Sequence, residues 1–156
     1  MFANRIAAAL CGLALFVVAA DARANWSITH WGMTVAEVQA VAPNGRPLTD
    51  MEADAFARVY DGSIVPKWAV PYRLGDVDFD AVLHFRKEDD GLEFVELLLR
   101  DQSQTQKLLD AMRAAFGAPV GEESNLLQIT TSWEIDGDLV QVMQDGVTIV
   151  RIQPQG

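Results

Sequence analysis

The residues of this chain whose types could do chemistry are two histidines, His30 and His84, and an acidic row, Asp76, Asp78 and Asp80. Carboxylates spaced two apart on a strand share one face and could in principle ligate calcium. The spacing fails the EF-hand pattern. Counted from Asp76, Ala81 stands where glycine makes the sharp turn and Lys87 where a bidentate glutamate is required. A solvated strand face is the expected state of these acids, because charges on a half-buried strand face water. No His-x-x-x-His, Gly-x-Ser-x-Gly or P-loop pattern occurs, so neither a metal nor a cofactor is expected. A Ser–His–acid triad or a carboxylate pair needs only proximity in space. A small hydrolase or metal-dependent enzyme using acidic residues and His84 is therefore the alternative to a non-catalytic role. His84 is expected on the polar face of its strand, and His30, between Trp26 and Trp31, in packing or capping.

A second group could bind rather than catalyse. Trp68 falls in an apparently irregular loop, Pro66–Pro71, close to Tyr72 and Arg73. Aromatic and arginine side chains on a loop are what binding hot spots use. On this reading Trp68→Ala weakens partner capture without unfolding the domain; the competing expectation is that Trp68 lids the core. Trp133 is in phase with the apolar face of its strand, and Trp26 and Trp31 are placed to pin the start of the domain to a sheet.

Thr34-Val35-Ala36-Glu37 has capping-box spacing, with Met33 and Val38 set for a hydrophobic staple, so a helix is expected over 35–42, stopped by Pro43. Residues 43–71 hold four of the six prolines and no sustained period. Thr49-x-x-Glu52 allows a helical turn there, and Phe56–Tyr60 reads equally well as an edge strand ending at Asp61-Gly62. From Val77 to Phe85 apolar residues alternate with polar ones, the mark of a half-buried strand. Glu88–Gly91 is a turn, and Leu92–Arg100 returns as an antiparallel partner, apolar on both faces and hence central. Ser103-x-x-Gln106 marks a second helix with a stripe at Thr105, Leu108, Leu109, Met112, Ala115 and Phe116, ended by Gly117 and Pro119. Three strands then follow, 127–135, 139–144 and 147–152, joined by Asp136-Gly137 and Asp145-Gly146 turns. The expectation is a single α+β domain of antiparallel sheet with two helices. Its element order, helix then strands twice over, has the look of a worn duplication.

The 156 residues carry 12 basic and 22 acidic side chains, net −10, which argues against nucleic-acid binding. Arg5, the apolar run Ile6–Ala20 and Ala22-Arg23-Ala24 have the three parts of a secretory signal peptide, with cleavage expected after Ala24. The domain would then be 25–156, placed in the periplasm, with 10 basic and 21 acidic residues. Cys11 lies inside the apolar run behind Leu10, the wrong place for lipidation. It leaves with the signal, taking thiol chemistry with it. No later run is apolar enough to span a membrane.

Trp31-Gly32-Met33-Thr34 with Glu37 and Val38, and Phe116-Gly117-Ala118-Pro119 followed by a strand bearing Trp133, resemble the small exported BamE/SmpA and beta-lactamase-inhibitor-protein-like modules. That resemblance implies a helix-plus-sheet domain that binds other proteins and does not catalyse. The lipoprotein cysteine of BamE has no counterpart at the expected mature start. The function expected is an exported, non-catalytic module that binds another envelope or periplasmic protein.

Overall fold

The computed structural model describes residues 26–57 and 62–155. The expected signal peptide, Cys11 and the cleavage point lie outside the described residues, as do 58–61 and with them most of the alternative strand at 56–60.

Helix α1, Val35–Val41, begins as its capping box requires. The Glu37 amide donates to Thr34 Oγ1 at 3.4 Å, and Glu37 Oε2 accepts from the Thr34 amide at 2.8 Å. The helix stops at Ala42, before Pro43, and buries Val38 completely. A two-residue strand β1, Arg46–Pro47, leads into a third helix, α2, Asp50–Ala57. Only a turn was expected there. The Thr49–Glu52 box forms, and Arg46 ties down Glu52 with bonds of 2.6 and 2.8 Å, holding its carboxyl at about 2.

The segment read as an irregular loop is instead a long strand, β2, Ile64–Leu74. Its two prolines obscured it. They are tolerated because β2 pairs along its length with β3, Val77–Arg86, but on its other side only at Trp68 and Ala69 with β1. A register shift between Pro66 and Trp68 absorbs the first of them. Strand β4, Leu92–Leu99, follows as the hairpin partner of β3.

The next helix, α3, Thr105–Phe116, does not start with the expected Ser103–Gln106 box. Asp101 caps a preceding 3₁₀ turn, Gln102–Gln104, by accepting from the Ser103 amide, and Gln106 bonds Asp110 instead. Leu108, Leu109 and Met112 are buried, but Ala115 and Phe116 are exposed, so the apolar stripe ends a turn early. Gly117 closes the helix at φ 81°, ψ −158°, a region essentially reserved for glycine.

Four strands complete the chain: β5, Gly121–Ser124; β6, Ile129–Ile135; β7, Asp138–Asp145; and β8, Val147–Pro154. Strand β6 starts two residues later than expected, leaving Leu127 outside it and exposed. The Asp136-Gly137 turn has both residues at positive φ, 52° and 88°, as a type I′ turn needs. At the β7–β8 connection only Gly146 intervenes between the paired Asp145 and Val147.

All eight strands form one antiparallel sheet in the order β1-β2-β3-β4-β8-β7-β6-β5. The order is a palindrome: each half runs from its outer strand to its inner one, and the last strands of the halves, β4 and β8, meet at the centre. The two halves share the order helix then strands, with α2 added to the first half. As expected for a strand apolar on both faces, β4 is central.

The two faces of the sheet differ. One packs Phe79, Leu83, Val95, Leu97, Trp133, Val142 and Val150 against Val38, Leu108 and Met112, so α1 and α3 close it. Trp26 and Trp31 join this core from the start of the domain, as expected, and Trp31 Nε1 donates to the buried Asp138 at 2.8 Å. The other face is covered at one end by α2, whose Phe56 reaches His84. Beyond it, Leu98, Leu139, Gln141, Met143, Ile149, Arg151 and Gln153 are half-buried, and no other described helix lies over them.

Candidate binding surface

Strand alternation puts Val82 and His84 of β3, Phe94, Glu96 and Leu98 of β4, and Ile149 and Arg151 of β8 side by side on the open face. Glu96 pairs in register with Val82 on one side and Arg151 on the other. A buried charge in the middle of a central strand needs partners, because an unpaired buried carboxylate is costly. Both neighbours supply them. His84 Nε2 lies 3.1 Å from Glu96 Oε2, and Arg151 donates from Nη2 at 2.8 Å and from Nε at 3.2 Å to Glu96 Oε1. The guanidinium also lies 5.3 Å from the centre of the Phe94 ring, a cation–π contact.

Burial pushes the Glu96 carboxyl up. The hydrogen bond and charge from His84, together with Arg151, outweigh it and hold the group well below the usual carboxylate range. For His84 burial wins over the pull of Glu96, so its imidazole is pushed down and is neutral at pH 7. At pH 7 the neutral imidazole of His84 and the guanidinium of Arg151 both lie against the ionised Glu96.

His84 is thus not on a solvated polar face, as its strand alternation led us to expect. It has no exposed surface, one ring face stacks on Phe94 at 4.3 Å, and Phe56 meets it edge-on at 6.0 Å. The imidazole is part of the floor of the open face, and no substrate reaches it in this conformation. His30 is exposed. Its amide and carbonyl close the turn before α1, donating to Met33 Sδ at 3.1 Å and accepting from the Met33 amide at 3.1 Å.

The acidic row is occupied by cations. Asp76 faces Lys107 at 3.7 Å, Asp78 takes Arg73 at 2.7 Å, and Asp80 takes Arg100 at 2.6 Å. The expected trio is divided. Trp68 and Tyr72 lie on the closed face, packed on the core, where the Tyr72 ring sits 5.0 Å from Trp26. Trp68 rests on the backbone of Gly45, so closely that a Cβ there would fall 2.1 Å from its Nε1. Trp68 therefore takes the lid position, on a strand and not on a loop. Arg73 points to the opposite face, where its pair with Asp78 raises its own pKa and lowers that of the acid.

What sequence reading missed is Glu96 and Arg151. The available signal was Glu96 itself, a single acid at the centre of a strand apolar on both faces. An open depression of about 470 Å³ is lined by Ser63, Ile64, Arg86, Lys87, Glu88 and Glu93, and its Arg86 is already tied to Asp89 and Glu93. The arrangement that remains is the open face itself, where Leu98, Ile149 and Gln141 border Arg151 and the Asp80–Arg100 pair lies beside Leu98.

No protein-family model, characterised protein or solved structure matches this chain. The resemblance to BamE-type modules therefore rests on the motifs alone, and those residues have local structural roles. Gly32 adopts φ 85° while its amide donates to Leu92 O at 2.8 Å, Thr34 caps α1, and Trp133 Nε1 donates to Gly117 O at 3.1 Å.

Proposed function

We propose that this chain is an exported, non-catalytic module that binds another periplasmic or envelope protein through the open face of its sheet. One observation carries the reading. One face of the sheet is closed by α1 and α3, while the other presents Leu98, Leu139, Met143 and Ile149 around Arg151, half-buried and without a helix over them among the described residues. Interface cores favour apolar and methionine side chains around arginine and are poor in other charges. The buried Glu96 and His84 fix the Arg151 guanidinium in place, which lowers the entropy cost of using it in a contact. The N-terminal signal pattern supports delivery to the periplasm.

The test is an in-cell crosslinking pull-down of the tagged full chain with Ile149→Asp beside the parent. Ile149 is only half-buried, so the variant is expected to keep its fold while placing a charge in the middle of the face. Loss of the captured envelope protein with an unchanged unfolding midpoint is the expected result. Equal capture by both chains contradicts the reading.

A further inference from the structure

The β5–β6 hairpin carries a feature unrelated to the open face. Leu126 and Leu127 at its tip are 103% and 79% exposed. They are not slack loop residues. Asn125 Oδ1 accepts from the amides of Leu127 and Gln128, both at 2.9 Å, and the Asn125 amide donates to Gln128 O at 2.9 Å. The turn is closed on its own polar groups, which holds the two leucines outward instead of letting them fold back on the strands. The register puts more apolar surface at the same end of the sheet. Ile129, 42% exposed, opens β6, and Val147, 46% exposed, follows the neighbouring β7–β8 turn. The outer edge of β5 pairs with no described strand.

The charge around this tip is of one sign. Its rim is formed by acids of β5 and of the β7–β8 turn, while Glu134, Asp136 and Asp138 lie at the far end of β6 and β7. Glu122, Glu123 and Asp145 are exposed beside the tip, and Arg113 of α3 lies 3.9 Å from Glu122. An acidic rim repels anionic lipid headgroups. It also disfavours a second copy of this chain, since β5 against β5 would set Glu122 and Glu123 near their own counterparts. A pocket that accepts two leucines within an acidic rim is apolar with a basic rim.

We propose that Leu126-Leu127 is a preformed plug that enters an apolar, basic-rimmed pocket on a partner protein. The tip and the open face are separate surfaces, so either can fail without the other.

The experiment places a photoreactive phenylalanine at Leu127 of the full exported chain in cells, with a second chain carrying it at Met143 on the open face. The expected result is a protein adduct from Leu127 whose crosslinked site lies among apolar residues flanked by lysine or arginine. Purified partner should then bind Leu126→Ser/Leu127→Ser roughly tenfold or more weakly. The unfolding midpoint should be unchanged, and binding of the parent chain should weaken as salt is added. Four results overturn the proposal: no adduct at Leu127, an adduct with a second copy, binding of the double variant equal to that of the parent, or leucine-dependent sedimentation with vesicles of phosphatidylethanolamine and phosphatidylglycerol in place of a protein adduct. An adduct from Met143 alone refutes the plug and leaves the open-face reading standing.

Discussion

Arg151→Leu removes a guanidinium held against Glu96, a carboxylate that is 6% exposed and keeps His84 beside it. Removing one member of a buried ion pair costs about 3–5 kcal/mol because the other charge is stranded. Two features lower that figure here. Arg151 keeps 22% of its side chain in water, and His84 Nε2 stays 3.1 Å from the carboxylate. About 2–3 kcal/mol is the expected loss, or a fall in Tm of about 10 °C for a domain of this size. The loss should depend on pH in a definite sense. Without the guanidinium the folded-state pKa of Glu96 moves up from about 2, because less opposes its burial. A depressed carboxylate contributes stability that is present above its unfolded pKa of about 4.3 and lost as pH falls through the folded one. The deficit of the variant should therefore be full near pH 7 and shrink as the pH falls below about 4.3. The double variant Glu96→Leu/Arg151→Leu, which removes both members of the pair, should recover most of the loss. Urea unfolding followed by circular dichroism across this pH range measures all three chains. A deficit under about 1 kcal/mol, or one that grows on acidification, refutes the description of Glu96 as a buried charge held by Arg151.

Burial holds the His84 pKa below 6.5 in the folded state, so the unfolded chain binds the proton more readily. Stability should decline as pH falls below about 6.5, and His84→Gln, which keeps a donor for Glu96, should remove that part of the pH slope in the same urea titrations. Trp68→Ala should lower stability by about 2–3 kcal/mol, because the ring packs on the core over Gly45. Gly45→Ala should cost about 1–3 kcal/mol by pushing that ring away, and thermal melts of both variants check the pair. Trp31→Phe removes the indole donor to buried Asp138, whose carboxyl burial already pushes up. It should cost about 1–2 kcal/mol at neutral pH and less in acid, where a protonated Asp138 tolerates burial.

Elements set by local chemistry were legible in the sequence. The Thr34 box, the β3 alternation, the doubly apolar β4 and the Asp136-Gly137 turn each depend on neighbours a few residues apart, and each sits where expected. Strand β2 was hidden because prolines read as loop unless the strand lacks a full neighbour on one side, and that is a property of sheet order. The position of His84 was obscured for a related reason. Alternation states which residues share a face but not whether a helix from elsewhere covers it, and here Phe56 of α2 does. The candidate trio failed as a cluster for the simplest geometric cause: Tyr72 and Arg73 are adjacent on a strand and so point to opposite faces. The Arg151–Glu96 pair joins residues 55 positions apart, and only the palindromic meeting of β4 and β8 brings them together.

Photocrosslinking from the open face tests the binding role most directly. A photoreactive residue at Ile149 of the full exported chain is compared with one at Ala111, which is exposed on α3 behind the closed face. A protein adduct from Ile149 and none from Ala111 is the predicted result. No adduct from Ile149, or the same adducts from both positions, would contradict a role for the open face in binding.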